Sequence, residues 1–356
     1  MKMKIDRDWL HELPKTDLHV HLDGSIRPTT LLELAADNHV DIGLKNEKEI
    51  REATQMAGGD RSLVRYLRAF KYTLPVLQTE ESLERSAYEL AIDAASENVR
   101  LIEMRYSPLL HREKGLGFAE IISAVERGLR HAESETGIIT GQILCGIRNM
   151  PPESSLELAK ATLKYRKNGV VAFDLAGAEK DYPAKKHREA FYFIQNNNLN
   201  STLHAGEAFG PASIAQALHY CSAHRIGHGV RLDEDQALLD FVNDHRIPLE
   251  MCLTSNLDTG AVGDILEHPF GKYLDLDLRV TLNTDNRLIS DATVTGEFIL
   301  AAEAFQLSVE AIHSIVLNGF KSAFLPYEKK SELVRDVVHE LMQMGAPPEH
   351  RYADRL

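Results

Sequence analysis

The stretch Lys15-Thr-Asp-Leu-His-Val-His-Leu-Asp-Gly24 decides the fold. Within it, Asp17–Leu22 has the length and apolar content of a buried strand, and Gly24 supplies a turn signal directly after it. Runs of the same character recur at Leu101–Tyr106, Ile143–Ile147, Val170–Leu175, Ser201–His204, Arg225–His228, Leu249–Leu253 and Val280–Thr284. Several are nearly continuous in apolar or β-branched residues, as parallel strands covered on both faces require. Between them, Leu83–Ser96, Phe118–Glu133, Ser154–Arg166 and Pro211–Ala223 carry helical periodicity with polar faces. Strand and helix in repeated alternation predict an α/β fold, a closed (β/α)8 TIM barrel, with an open doubly wound sheet as the alternative.

Two segments exceed the minimal barrel. Gly24 to Asn98 is too long for one crossover helix and is read as at least three helical segments, Pro28–Asn38, Arg61–Leu74 and Leu83–Ser96. The tail from Thr293 to Met344 reads as further helices after the eighth strand. No linker-like, repetitive or low-complexity tract interrupts the chain, so one domain is expected over residues 1–356.

The 356 residues are 44% hydrophobic, enough for a large core, and carry a net charge of −13. That charge repels phosphate backbones and anionic lipid, which disfavours nucleic acid or a membrane as partner. The basic stretches Lys164–Lys167 and Lys185–Arg188 read as solvated surface. The chain has no apolar run of membrane-spanning length, and its N-terminus lacks the apolar core of a signal peptide. Cys145, Cys221 and Cys252 lie far apart and form no C-x-x-C, so no disulfide framework is expected and the location is read as cytoplasmic. Oligomeric state is left open.

The chemistry gathers at strand ends. His19 and His21, Glu103, Asp174, His204 with Glu207, His228 and Asp285 all fall at or near the ends of predicted strands. Any one of them alone would be read as an ordinary core residue. Together, on one end of a barrel, they describe the face where such folds place their active sites. His19 and His21 are two apart on a strand and therefore point to the same side. Imidazoles suit zinc; with His204 and Asp285 they make a three-nitrogen, one-oxygen set that leaves a position for water. Gly206 permits a tight turn that brings Glu207 over such an ion as a proton shuttle rather than a ligand. His228, between glycines, is placed to stabilise developing charge.

Five segments then carry a resemblance: Lys15–Gly24, His204-Ala-Gly-Glu207, Arg225-Ile-Gly-His-Gly229, Cys252-Leu-Thr-Ser-Asn256 and Leu282-Asn-Thr-Asp285. In this order they resemble the adenosine deaminases of the metal-dependent amidohydrolase superfamily. The similarity runs from about Leu13 to Phe324, through Glu103–Pro108 and Asp174–Gly177. The resemblance implies one zinc ion per chain on His19, His21, His204 and Asp285, Glu207 as general acid/base, and His228 assisting the attacking water. It also implies purine-nucleoside contacts from His21, Asp23 (to the ribose), the Gly177 backbone (to N3) and Asn286 (to N7). Leu63, Tyr66, Leu67 and Phe70 align with an apolar gate, although their spacing equally suits a core-facing helical stripe.

The implied activity is hydrolytic deamination of adenosine, and of 2′-deoxyadenosine, to the 6-oxo purine nucleoside and ammonia. Asn286 departs from the aspartate that many members carry, yet its amide can donate to an unprotonated ring nitrogen. The alternatives are a deaminase of free adenine or of a modified adenosine, and a non-catalytic binding relative. The H-x-E with P-C-x-x-C deaminase design fails, because no P-C-x-x-C exists.

Overall fold

The computed structural model describes residues 5–56 and 61–344. Eight parallel strands lie in sequence order around a nearly closed barrel with helices outside it. They are β1 (Lys15–His21), β2 (Val99–Tyr106), β3 (Ile139–Ile147), β4 (Val170–Ala176), β5 (Asn200–Ala205), β6 (Arg225–His228), β7 (Leu249–Met251) and β8 (Val280–Leu282). The ring is joined between β8 and β1 by one bridge, Val20 to Asp285. Around it the Asp285 N–H donates to the His19 carbonyl at 2.8 Å, and the His21 N–H to the Asp285 carbonyl at 2.7 Å.

The covering helices follow from their apolar stripes. Phe118–Thr136 buries Ile121, Ile122, Val125, Leu129 and Ala132 along one face. Its start is fixed by the Glu120 carboxylate, which accepts the Gly117 N–H at 2.6 Å; it ends at Gly137, whose φ of 75° lies in the left-handed region.

Several boundaries differ from the sequence expectation. β7 stops at Met251 because the Glu297 carboxylate accepts the N–H groups of Leu253 and Thr254 and so begins a helix, Leu253–Asp258. β8 stops at Leu282, and Asp285 follows with a φ of 58°. Arg61–Leu74 is not one helix: Leu63–Leu67 and Phe70–Thr73 are separate, and Pro75 lies in a 3-10 turn, Leu74–Val76. A further helix, Glu47–Thr54, was not anticipated; it is only about two turns long and buries only Ile50 and Thr54.

The barrel interior below the strand ends is ionic. Arg105, fully buried, bridges Asp174 Oδ2 at 3.0 Å and Glu250 Oε2 at 2.9 Å. Arg225 joins Glu250 Oε1 at 2.5 Å and Glu103 Oε2 at 2.6 Å. Buried charges persist when paired in this way. Glu103 is thereby corrected: it faces the barrel interior at the opposite end from the histidines, with Arg225, the first residue of β6, and the Phe324 N–H as partners. Cys145, Cys221 and Cys252 are buried free thiols, as anticipated. Among the described residues no helix is long and apolar enough to cross a membrane.

Candidate active site

Beyond the C-terminal ends of β1, β5, β6 and β8, the side chains of His19, His21, His204, His228 and Asp285 converge. His204 Nε2 lies 3.0 Å from His19 Nε2 and 3.1 Å from His21 Nε2. Asp285 Oδ1 lies 3.5 Å from His19 Nε2 and 3.3 Å from His21 Nε2. One donor atom each of His19, His204, His228 and Asp285 also falls within 4.8 Å of the others. Gly227 permits this approach, since a Cβ there would stand 2.9 Å from His19 Cε1. His228 and Asp285 both adopt positive φ, 63° and 58°. Such strain in non-glycine residues costs about 1–3 kcal/mol and persists where surrounding structure enforces it.

Each of two imidazoles is backed by a carboxylate. His19 Nδ1 meets Glu250 Oε2 at 2.9 Å, and His204 Nδ1 meets Asp174 Oδ2 at 3.1 Å. A carboxylate accepts only, so each ring carries a proton on Nδ1. Burial lowers His204, but the Asp174 carboxylate prevails and raises it above the ordinary imidazole value, so its Nε2 sits in a field that favours a cation. Two imidazole nitrogens 3.0 Å apart need a cation between them, a proton or a metal ion. The observed separations of 3.0 to 3.5 Å match the roughly 3.3 Å between ligand atoms of a tetrahedral ion with bonds of about 2.0 Å. The carboxylate behind each ring is the arrangement that orients metal-binding histidines. The residues therefore fit a metal ion.

Burial holds His19 down to about 4 and His21 well below the usual imidazole range, keeping both rings neutral for ligation. Burial also pushes Glu250 up, but Arg105, Arg225 and the His19 hydrogen bond prevail and hold it well below the ordinary carboxylate range. Burial works the same way on Asp285 and is overcome by His19 and His21; Ser255 Oγ donates to its Oδ2 at 2.5 Å.

Glu207 stands on a loop built for it. Gly206 has φ +73°, and a Cβ there would meet Ile214 at 2.4 Å, so only glycine makes the turn after β5. The Glu179 carboxylate then accepts four consecutive backbone N–H groups: Gly206 at 2.6 Å, Glu207 at 3.1 Å, Ala208 at 2.6 Å and Phe209 at 3.0 Å. Thr259 Oγ1 donates to Glu207 Oε1 at 3.0 Å, leaving Oε2 beside His228 Nε2 at 3.7 Å. Burial raises the Glu207 carboxyl above its ordinary value, the direction a proton-delivering acid needs.

A cavity of about 290 Å³ opens over this cluster. His21, Asp23, Gly177, His204, Glu207, His228, Asp285 and Asn286 line it, with Leu63, Tyr66, Leu67 and Phe70 forming an apolar wall; of the strand-end residues singled out in the sequence, His19 lies fully buried beneath, and Asp174 and Glu103 are not in the lining. Tyr66 Oη bonds Ser290 Oγ at 2.9 Å, tying that wall to the loop after β8. Asp23 Oδ1 is held at 3.0 Å by His111 Nε2. A larger groove of about 1660 Å³ lies elsewhere and involves none of the strand-end residues.

Sequence reading missed Glu250, Glu179, Thr259 and His111; Asp174, grouped there with the strand-end residues of the active-site face, lies behind His204 and supports its ring. A charged residue inside the apolar run Leu249–Leu253 was the available signal for Glu250.

The adenosine deaminase family model matches residues 14–340. An adenosine deaminase of Mycobacterium sp. strain JLS is 40% identical over 92% of this chain and 95% of its own. The chain belongs to the adenosine deaminase family. Another member, adenosine deaminase 1 of Streptomyces coelicolor, is 40% identical over 93% of this chain and 87% of its own. A probable adenosine deaminase of Dictyostelium discoideum is 39% identical over 94% of this chain, which spans only 43% of that relative's length. Among solved structures, adenine deaminase of Arthrobacter aurescens superposes with a TM-score of 0.86 at 25% identity, covering 93% of this chain and 99% of its own. The Arabidopsis N6-mAMP deaminase gives 0.83 at 29%, with the same coverage. Adenosine deaminase family membership thus rests on sequence along nearly the whole chain, and the barrel is shared with deaminases of other purine substrates.

Proposed function

We propose that the protein removes the 6-amino group of adenosine by hydrolysis, using one zinc ion per chain held by His19, His21, His204 and Asp285. The observation that carries this reading is the convergence of Nε2 of His19, His21 and His204 with Asp285 Oδ1, at separations of 3.0 to 3.5 Å, beside a buried Glu207 whose carboxyl burial raises above its ordinary value. When bound, zinc supplies Lewis-acid activation of a water at neutral pH. The remaining work falls to the chain. Asp285 and His228 aim the water at C6. Glu207, its Oε1 occupied by Thr259, delivers a proton from Oε2 to ring N1 and so makes C6 electrophilic. Water adds at C6, one of its protons passes to the amine, ammonia leaves, and the remaining hydroxyl proton returns to Glu207, leaving inosine and the protonated carboxyl.

In the same cavity Asp23 would accept from a sugar hydroxyl, the Gly177 backbone would face N3 and the Asn286 amide would donate to N7; all three line it. The structural relatives named for adenine and N6-mAMP make a free base or a modified adenosine the second reading. Against a 5′-phosphate stands the lining itself: Asp23, Glu207 and Asp285 are there, and among the described residues no lysine or arginine lines it. A buried phosphate needs such a partner. Ammonia release from adenosine, 2′-deoxyadenosine, adenine and N6-methylated adenosine, measured side by side, tests the proposal. Turnover of adenine with none of adenosine overturns it.

A further inference from the structure

The hydrogen-bond chain behind His228 starts from a donor whose direction is beyond doubt. The backbone N–H of Phe270 points to His268 Nδ1 at 3.1 Å, so that nitrogen accepts. His268 is buried, and burial together with nearby His228 lowers it to about 3, leaving the ring neutral with its one proton on Nε2. Nε2 lies 3.2 Å from Asn256 Oδ1, which accepts that proton. The amide is thereby oriented, and its Nδ2 donates to His228 Nδ1 at 3.1 Å. The opposite amide orientation would set the His268 ring N–H against the Phe270 N–H, donor against donor, in a dry interior. Asn256 is fully buried, so no water can relieve that clash.

We propose that Asn256 and His268 are positioning residues that fix His228 as the tautomer carrying its proton on Nε2. This rests on the deaminase reading above, in which His228 faces the attacking water. An Nε2–H can donate to that water and to the oxygen developing on C6; it has no lone pair to give a metal. The relay therefore separates His228 from the four ligand residues, although its ring lies only 4.7 Å from that of His19, centroid to centroid.

The test uses zinc-loaded protein labelled with nitrogen-15 histidine, whose long-range proton–nitrogen spectra distinguish the tautomers. In the unmodified protein, His228 and His268 are both expected as Nε2–H forms. Finding His228 protonated on Nδ1 overturns the proposal without any variant. Asn256→Asp replaces the donor by an acceptor, so His228 should move its proton to Nδ1 and kcat for adenosine should fall by about 100-fold or more, with KM changed by about threefold or less. His268→Gln, which keeps a side-chain N–H donor, should retain kcat within about tenfold, whereas His268→Leu should not. An Asn256→Asp protein with unchanged kcat and the original tautomer overturns the relay. If no nucleoside is turned over by the unmodified protein, the deaminase reading fails, and the spectra still decide the tautomer.

Discussion

Replacing Glu179 by glutamine tests whether the loop carrying Glu207 is held in place by a single carboxylate. Four N–H groups, from Gly206 to Phe209, end on its two oxygens. Glutamine has one oxygen, which the three donors on Oε2 would claim, and its amino group would then face the Gly206 N–H. Three bonds lose their charge assistance and one donor is left buried without an acceptor. With charge-assisted bonds worth ~1.5–3 kcal/mol and neutral ones ~0.5–1.5 kcal/mol, the loop loses about 3 kcal/mol or more. At about 1.4 kcal/mol per tenfold, kcat should fall by about 100-fold. Zinc content should stay at the unmodified level, because Glu179 bonds none of the four proposed ligand side chains. Steady-state kinetics with adenosine, metal analysis and hydrogen exchange at residues 206–209 make the assay. A Glu179→Gln protein with kcat within about threefold of the original and equally protected amides refutes the reasoning.

Glu207→Gln should keep its zinc and lose turnover by about 100- to 10,000-fold, the range of general acid/base contributions, read by ammonia release and metal analysis. Asp23→Ala should lower kcat/KM for adenosine more than for adenine; an equal loss on both would remove the sugar contact. Glu297→Gln tests a pH effect. Burial raises this carboxyl from 4.5 to about 7, so between those values the folded protein holds a proton that the unfolded chain has released. Stability from this group is fully present at low pH and declines as pH rises through that window. Thermal unfolding from pH 4 to 8 should therefore show the unmodified protein losing ground to Glu297→Gln as pH rises; parallel curves would argue against it.

The chemistry was legible in the sequence where local geometry decides it. His19 and His21 face one way because a strand has period two, and Gly206 must turn the chain toward Glu207. Depth inside the barrel was not legible. Glu103 and Arg105 share a face of β2, yet one meets Arg225 at the far end and the other reaches the supports of His19 and His204. Partners distant in sequence were also invisible. Glu250 touches His19 across 231 positions, and nothing near either residue announces the pairing. Cooperation of that kind is settled by the closed sheet, not by any window of sequence.

The bridge between Val20 and Asp285 gives the ion a second consequence. The backbone bonds that join the last strand to the first flank the same residues, His19, His21 and Asp285, that are proposed to bind the metal. The ion would act as a clasp on the seam, joining segments about as far apart as Leu18 and Asn283, 265 positions in sequence. Contacts so remote carry a large closure entropy and form late in folding. Without such a clasp the seam would rest on its few hydrogen bonds, and opening there would expose two strand edges able to pair with those of other chains. Under the proposed metal binding, scarcity of the ion would then bear on the aggregation of this protein as well as on its catalysis.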